Sequence, residues 1–368
     1  MDLAHLWFFI VGVLFVGYFV LDGFDFGVGM SLPFLGKNDV SRRQIINTIG
    51  PVWDLNETWV IVAGACLFAA FPEWYATMFS GFYLALLLIL LALILRGVSF
   101  EYRHQRDSLR WKQGFDTMIV IGSAVPALLW GVAVANIVQG VPIDADMEFT
   151  GSLLSLLNPY GLLGGLTTLL LFFTHGVYFV ALKTDGQVHQ DARKLAVKSG
   201  ILTVVVAAIF LIWTIVMAAG REAPLTGLVV TAAAIAALAL IALKTTLGVD
   251  LASPIMASEP LQYVPQPVSV EEGVREGWAF GFGAATVVFA VLTLWFALFP
   301  NVMVSSTDPN FSLTIENASS TDYTLTIMTW AAVIFLPLVL LYQGWTYWVF
   351  RKRVTRSHIE KAVATVAS

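Results

Sequence analysis

Apolar residues along this chain come in long unbroken runs separated by short polar stretches, with no strand-like alternation. A bilayer core about 30 Å thick takes about 20 mostly apolar residues to cross as a helix. Runs of that kind predict nine helical spans, near residues 6–33, 51–71, 74–96, 114–139, 157–182, 197–219, 225–245, 278–299 and 323–350. Helices are required because a lipid-facing amide can bond only within its own segment. A membrane β-barrel needs short alternating strands, and the continuously apolar stretch from Tyr83 to Leu95 excludes them.

Composition agrees. The 368 residues are 58% hydrophobic and 12% charged, against about 25% charged in an ordinary soluble domain. The longest connections, 245–277 and 300–322, are too short for a soluble domain. The start, Met1-Asp2-Leu3, lacks the basic residues of a secretory signal, and the run after it is too long for one, so it reads as a retained span. Cys66, the lone cysteine, lies in an apolar run and reads as a core residue.

Basic residues settle the expected orientation, because cytoplasmic loops carry the excess of Lys and Arg. Of 20 such residues, 19 fall in the connections after spans one, three, five and seven and in the C-terminal tail; only Arg221 falls on the other side. The reading is an outside N-terminus and a cytoplasmic C-terminus. These basic loops are topology determinants and contacts for lipid headgroups, not a nucleic-acid surface.

Carboxylates inside spans cost about 2.5–3.5 kcal/mol each near a helix centre and so mark interior, functional positions. Asp22 and Asp25 lie three apart on one face of span one, and Asp54 and Glu57 repeat that spacing at the start of span two. Span one runs inward and span two returns, so both pairs are expected at similar depth in the cytoplasmic half. Gly23 and Gly27 form a ridge of small residues that admits a close neighbour. Arg96, at the inner end of span three, is placed to partner one of the acids. Four acids together in low dielectric repel, so at least one is expected to hold a proton near neutral pH. The competing reading is that Asp54 and Glu57 only cap span two.

Other candidates carry less. His175 is the one histidine well inside a span and has no second ligand at matching depth, so no haem or metal site is expected; it reads as a hydrogen-bonded structural residue, with proton relay as the other option. Glu73 is expected in solvent. Trp53, Trp59, Trp74, Trp345 and Trp348 read as an interfacial belt. The stretch 253–276, with Pro254, Pro260, Pro265 and Pro267, reads as a loop leading into span eight.

Several of these residues also carry a family likeness. The run Asp22-Gly23-Phe24-Asp25-Phe26-Gly27-Val28-Gly29-Met30 resembles the first-span signature of subunit II of the cytochrome bd quinol oxidases. Gly50-Pro51-Val52-Trp53-Asp54-Leu55-Asn56-Glu57-Thr58-Trp59 is similar to its second-span signature, with Leu55 where glycine is common. Leu157-Asn158-Pro159-Tyr160-Gly161, Phe299-Pro300 and Met328-Thr329-Trp330 continue the match in order.

The resemblance implies an all-α fold of two four-helix bundles, residues 1–140 and 141–300, with 301–368 adding an outer loop, a peripheral ninth helix and a cytoplasmic tail. It implies a multi-pass protein of the bacterial cytoplasmic membrane. It also implies a heterodimer in which a homologous subunit I carries haem b and haem d, oxidises quinol and reduces dioxygen to water, and it leaves room for small accessory membrane subunits. This chain would bind no haem, would scaffold subunit I and would supply cytoplasmic protons through the acids matching Asp25 and Asp54, with Asp22 and Glu57 beside them. Some members hold a structural quinone, for which Trp53, Asp54 and Arg96 are the candidates here. Two rivals remain: a proton- or cation-coupled transporter using the same acids, for which Pro126 offers a potential helix break, and a purely structural assembly subunit.

Overall fold

The computed structural model describes residues 2–219, 225–246 and 268–360. The proline-bearing loop that leads into span eight lies mostly outside them, as does Arg221.

Helix α1 (Leu3–Leu35) starts where Asp2 accepts the His5 amide at 2.9 Å. Next comes α2 (Asp39–Ile49), opened by a reciprocal cap in which the Asn38 side chain takes the Ser41 amide and the Ser41 hydroxyl takes the Asn38 amide. Helix α3 (Trp53–Ala70) leaves α2 at 45°, since Pro51 lacks the N–H that would carry the ladder through. It then runs without interruption across Leu55.

Pro72 opens the short helix α4 (Pro72–Gly81), and α5 (Tyr83–Tyr102) follows after a break at Phe82. The chain continues through α6 (Leu109–Gln139), α7 (Leu153–Leu156), α8 (Pro159–Lys183), α9 (Gly186–Ala218), α10 (Leu225–Thr246) and α11 (Val270–Leu298). A two-stranded antiparallel ribbon, β1 (Asn301–Met303) and β2 (Leu313–Thr314), leads to α12 (Asp322–Val349). Among the described residues, α1, α5, α6, α8, α9, α10, α11 and α12 are each long and apolar enough to cross a membrane, and the bent pair α2–α3 supplies a ninth candidate. The protein is an all-α integral membrane protein.

Three expectations need correction. The third span is not 74–96: residues 72–81 form their own helix, and the crossing helix is Tyr83–Tyr102. Pro72 can start a helix but cannot continue one, and hydropathy alone does not register the break at Phe82. Arg96 therefore sits six residues before the end of α5, about 9 Å inside it by helical rise. Trp59 and Trp74 are not belt residues either; they are 8% and 2% exposed and belong to the core, whereas Trp345 and Trp348 are exposed. Pro126 lies inside a continuous α6 and breaks nothing.

Helix α1 is the centre of the packing, touching α3, α6, α8 and α11, while α5 packs on α6, α8 on α9 and α10 on α11. The ridge of small residues expected on α1 receives α8: Gly27 and Gly176 bring the two backbones into direct contact. Helix α12 leans on α1 and α3, with the Trp7 indole N–H donating to the Leu325 carbonyl at 3.2 Å and the Thr329 hydroxyl at 3.0 Å.

At the end where α1 begins, the segments before α7 and after α11 knit together. The amide of Val141 donates to Val304, and that of Ser306 to Val141. They cover a core that includes Val302, Leu313, Ile315 and Ala318. Here Asn158 caps α8 through the Gly161 amide at 2.8 Å and donates to Asn136 at 2.7 Å. Removing a cap of this kind costs about 1 kcal/mol. Asn158→Ala is therefore expected to lower the thermal midpoint of the purified protein by a few degrees without changing its helical circular dichroism.

The opposite end holds most of the charge. Arg103 joins Asp116 at 2.5 Å and Asp39 at 2.8 Å, and Arg42 adds a second contact to Asp116 at 3.0 Å. After α12 the chain is bound beneath α8, where the Val354 amide donates to Lys183 and Arg353 donates to the Ala181 and Thr184 carbonyls and to Glu276.

Candidate functional site: a buried carboxylate cluster

Three helices meet around the acids of α1. Asp22 and Asp25 are fully buried, as are Arg96 of α5 and Asn56 of α3. Their depth follows from the packing: Gly122 of α6 lies against the Ala92 carbonyl and the Arg96 backbone, so α5 and α6 cross where Arg96 points inward. One guanidinium nitrogen of Arg96, Nη2, donates to Asp22 at 2.6 Å and to Glu57 at 2.9 Å. Its guanidinium carbon lies 4.4 Å from the centre of the Phe26 ring, a cation–π contact that helps hold the charge away from water.

Asp25 is held differently. Its Oδ2 accepts from Asn56 Nδ2 at 2.8 Å. The side-chain amide oxygen of Asn56, Oδ1, in turn accepts from Gln343 Nε2 at 2.9 Å and from the Tyr347 hydroxyl at 2.8 Å, both on α12. Gln343 closes the set by accepting the Trp59 indole N–H at 3.3 Å. Four fully enclosed atoms have no protein partner among the described residues: Asp22 Oδ2, Asp25 Oδ1, Arg96 Nε and Arg96 Nη1. Buried polar atoms left in this way call for water or a proton.

The structure thus brings Asp22, Asp25 and Glu57 together around Arg96. Asp54 does not join them. It lies exposed in the first turn of α3 and makes no side-chain hydrogen bond or ion pair among the described residues. Glu57, 21% exposed, reaches from that surface to Arg96, so it is an ion-pair partner and not a helix cap. Asp54 sits in the same first turn, but the start of α3 has no side-chain cap.

Of the residues expected to hold a quinone head group, Asp54 is exposed and Trp53 half-buried. Arg96 is enclosed and committed to carboxylates, while Trp53 packs on Phe100 at 5.2 Å. His175 is buried, stacked on Phe280 at 4.7 Å, with Nε2 donating to the Val20 carbonyl at 3.2 Å; among the described residues no hydrogen bond links it to the acids. Among the described residues no three His, Cys, Asp or Glu side chains are grouped to hold a metal ion.

Asn56, Gln343 and Tyr347 belong to the site although the sequence reading does not single them out. The signal is present: Asn56 lies between Asp54 and Glu57, and Gln343 and Tyr347 are four apart, on one face of a largely apolar helix.

A family model described as cytochrome bd terminal oxidase subunit II matches residues 3–350. The chain is 41% identical over 357 residues to a Bacillus subtilis protein named cytochrome bd ubiquinol oxidase subunit 2, covering 96% of this chain and 97% of that one. It is 39% identical over 377 residues to Escherichia coli K12 cytochrome bd-I ubiquinol oxidase subunit 2, covering 98% and 97%. A chain in the structure of bd oxidase from Geobacillus thermodenitrificans superposes with a TM-score of 0.67 at 9% identity, over 95% of this chain and 98% of that one, a likeness of fold.

Proposed function

Since the chain belongs to the family of cytochrome bd terminal oxidase subunit II, we propose that its own contribution to that oxidoreductase is to scaffold a haem-bearing subunit I and to deliver cytoplasmic protons to it for the reduction of dioxygen by quinol. The haems reside in subunit I, and this chain moves protons without redox chemistry of its own. The protein lies in the bacterial cytoplasmic membrane with its N-terminus outside. Residues 1–140 and 141–300 form the two bundles, and residues 301–368 form the outer loop, ninth helix and tail.

The observation that carries the reading is the buried cluster. Two fully buried carboxylates and the part-exposed Glu57 surround one fully buried guanidinium, with one oxygen on each of Asp22 and Asp25 lacking a protein partner among the described residues. Three negative charges around one positive charge in low dielectric favour uptake of protons, because burying unpaired charge is costly. Exposed Asp54 and part-exposed Glu57 stand on the α3 side of the cluster and give it a mouth. Protons pass from them to Asp25 and Asp22, one helical turn apart, by way of water at the unpaired oxygens.

Asp25→Asn in the purified two-subunit complex tests this. Oxygen-consumption turnover is expected to fall at least about tenfold, equivalent to about 1.4 kcal/mol of barrier, while the dithionite-reduced minus air-oxidised haem spectrum is retained. Asp25→Glu should recover part of the rate. Unchanged turnover and unchanged pH dependence in Asp25→Asn would remove proton delivery through this residue and leave the scaffold alone.

A further inference from the structure

We infer that the ninth helix, α12, positions the relay acid: Gln343 and Tyr347 lock the Asn56 amide in one orientation, so that Asn56 can only donate to Asp25 and the other carboxyl oxygen of Asp25 is left to carry the proton. This rests on the reading of Asp25 as a proton carrier.

The direction of the hydrogen bonds makes the argument. A primary amide can present either its N–H groups or its oxygen to a neighbour, and a flip exchanges them. Both α12 side chains meet the same Asn56 atom, its oxygen, at 2.9 and 2.8 Å. A tyrosine hydroxyl and a glutamine N–H can each donate there, and Gln343 has its own oxygen engaged by the Trp59 indole, which only donates. The Trp59 bond thus sets Gln343, Gln343 and Tyr347 together set Asn56, and Asn56 sets Asp25.

All links but the tyrosine belong to buried residues: Asn56 is fully buried, Gln343 is 6% exposed and Trp59 8%. Water therefore does not readily substitute for a missing link. Asp25 Oδ2 receives the Asn56 N–H, and Oδ1 has no protein donor facing it among the described residues. Helix α12 is otherwise mostly exposed, and its Gln and Tyr lie where it packs against α3.

The test uses the whole oxidase complex and infrared difference spectroscopy of the protonated-carboxyl C=O stretch, with the Asp25 band identified as the one that Asp25→Asn removes. Gln343→Met combined with Tyr347→Phe deletes both donors to the Asn56 oxygen at nearly constant volume. The expected result is a shifted or split Asp25 band, from two orientations of Asn56, together with turnover lowered about three- to tenfold and an altered pH profile.

Tyr347→Phe alone, the milder change, should shift the band less; it carries the test if the double variant does not assemble with haem. An Asp25 band unmoved in these variants, or no band removed by Asp25→Asn, overturns the inference. Normal turnover in Asp25→Asn alongside a band that does move would instead retire the relay and keep the positioning.

Discussion

Arg96→Met is expected to destabilise the protein by about 3–5 kcal/mol, the range found when one partner of a buried ion pair is removed and the other stays charged. Asp22 is fully buried and receives Arg96 at 2.6 Å, and Glu57 receives the same nitrogen at 2.9 Å. Without the guanidinium, two carboxylates face each other across the space beside Phe26 with no counter-charge. Methionine fills much of the volume, so the loss is electrostatic and not a cavity.

The apparent unfolding midpoint of the purified complex, read at one scan rate because membrane assemblies unfold irreversibly, should drop by many degrees. Combining Arg96→Met with Asp22→Asn should restore part of the loss, since the stranded charge is then gone. Arg96→Lys keeps the charge but replaces a planar fork by a point donor, and should fall between. A midpoint that stays put in Arg96→Met would mean that the pair is hydrated and that Asp22 does not depend on a buried counter-charge.

Gly27→Ala is the second large effect, and it acts through the backbone. A Cβ at Gly27 would lie 2.0 Å from the Phe172 carbonyl oxygen and 2.7 Å from Gly176 Cα. Neither is the movable tip of a side chain, so α1 and α8 must separate along their whole crossing. Overpacking of this kind costs about 1–3 kcal/mol or more. Because Asp25 lies two residues away on the displaced helix, turnover should fall along with the thermal midpoint. Gly281→Ala on α11, where an added Cβ meets nothing within 4 Å, is the control and should be near neutral. If Gly27→Ala is as well tolerated as that control, the α1–α8 crossing is looser than the contact between Gly27 and Gly176 implies.

Much of the chemistry was legible before the fold was known, for reasons that differ by residue. Asp22 and Asp25 stood out because a charge in a span is too costly to be incidental. Their depth is a property of position in the run, so it survived folding: both are fully buried. Asp54 and Glu57 have the same spacing but different fates: past the 45° bend between α2 and α3, packing against α1 turns Glu57 to Arg96 while Asp54 stays on the surface. Hydropathy averages over that bend and over the Phe82 break, which is why the third crossing helix lay several residues from its expected place. The tryptophans follow the same logic: proximity to a span end suggests a belt, but whether a ring meets lipid or protein depends on what packs against it.

By itself, then, the sequence determined an all-helical membrane protein, the number of candidate crossings, the family and the pair of acids on α1, because all of these depend on local composition and spacing. The tertiary structure alone decided that Arg96 serves Asp22 and Glu57 together, that Asp54 stands apart, and that a helix more than 280 residues further along the chain holds Asn56 against Asp25. Those outcomes depend on the rotation of one helix against another. Rotation is set by the sum of many side-chain contacts at the crossings, such as Gly27 on Gly176 and Gly122 on the Ala92 carbonyl, and no single segment carries it.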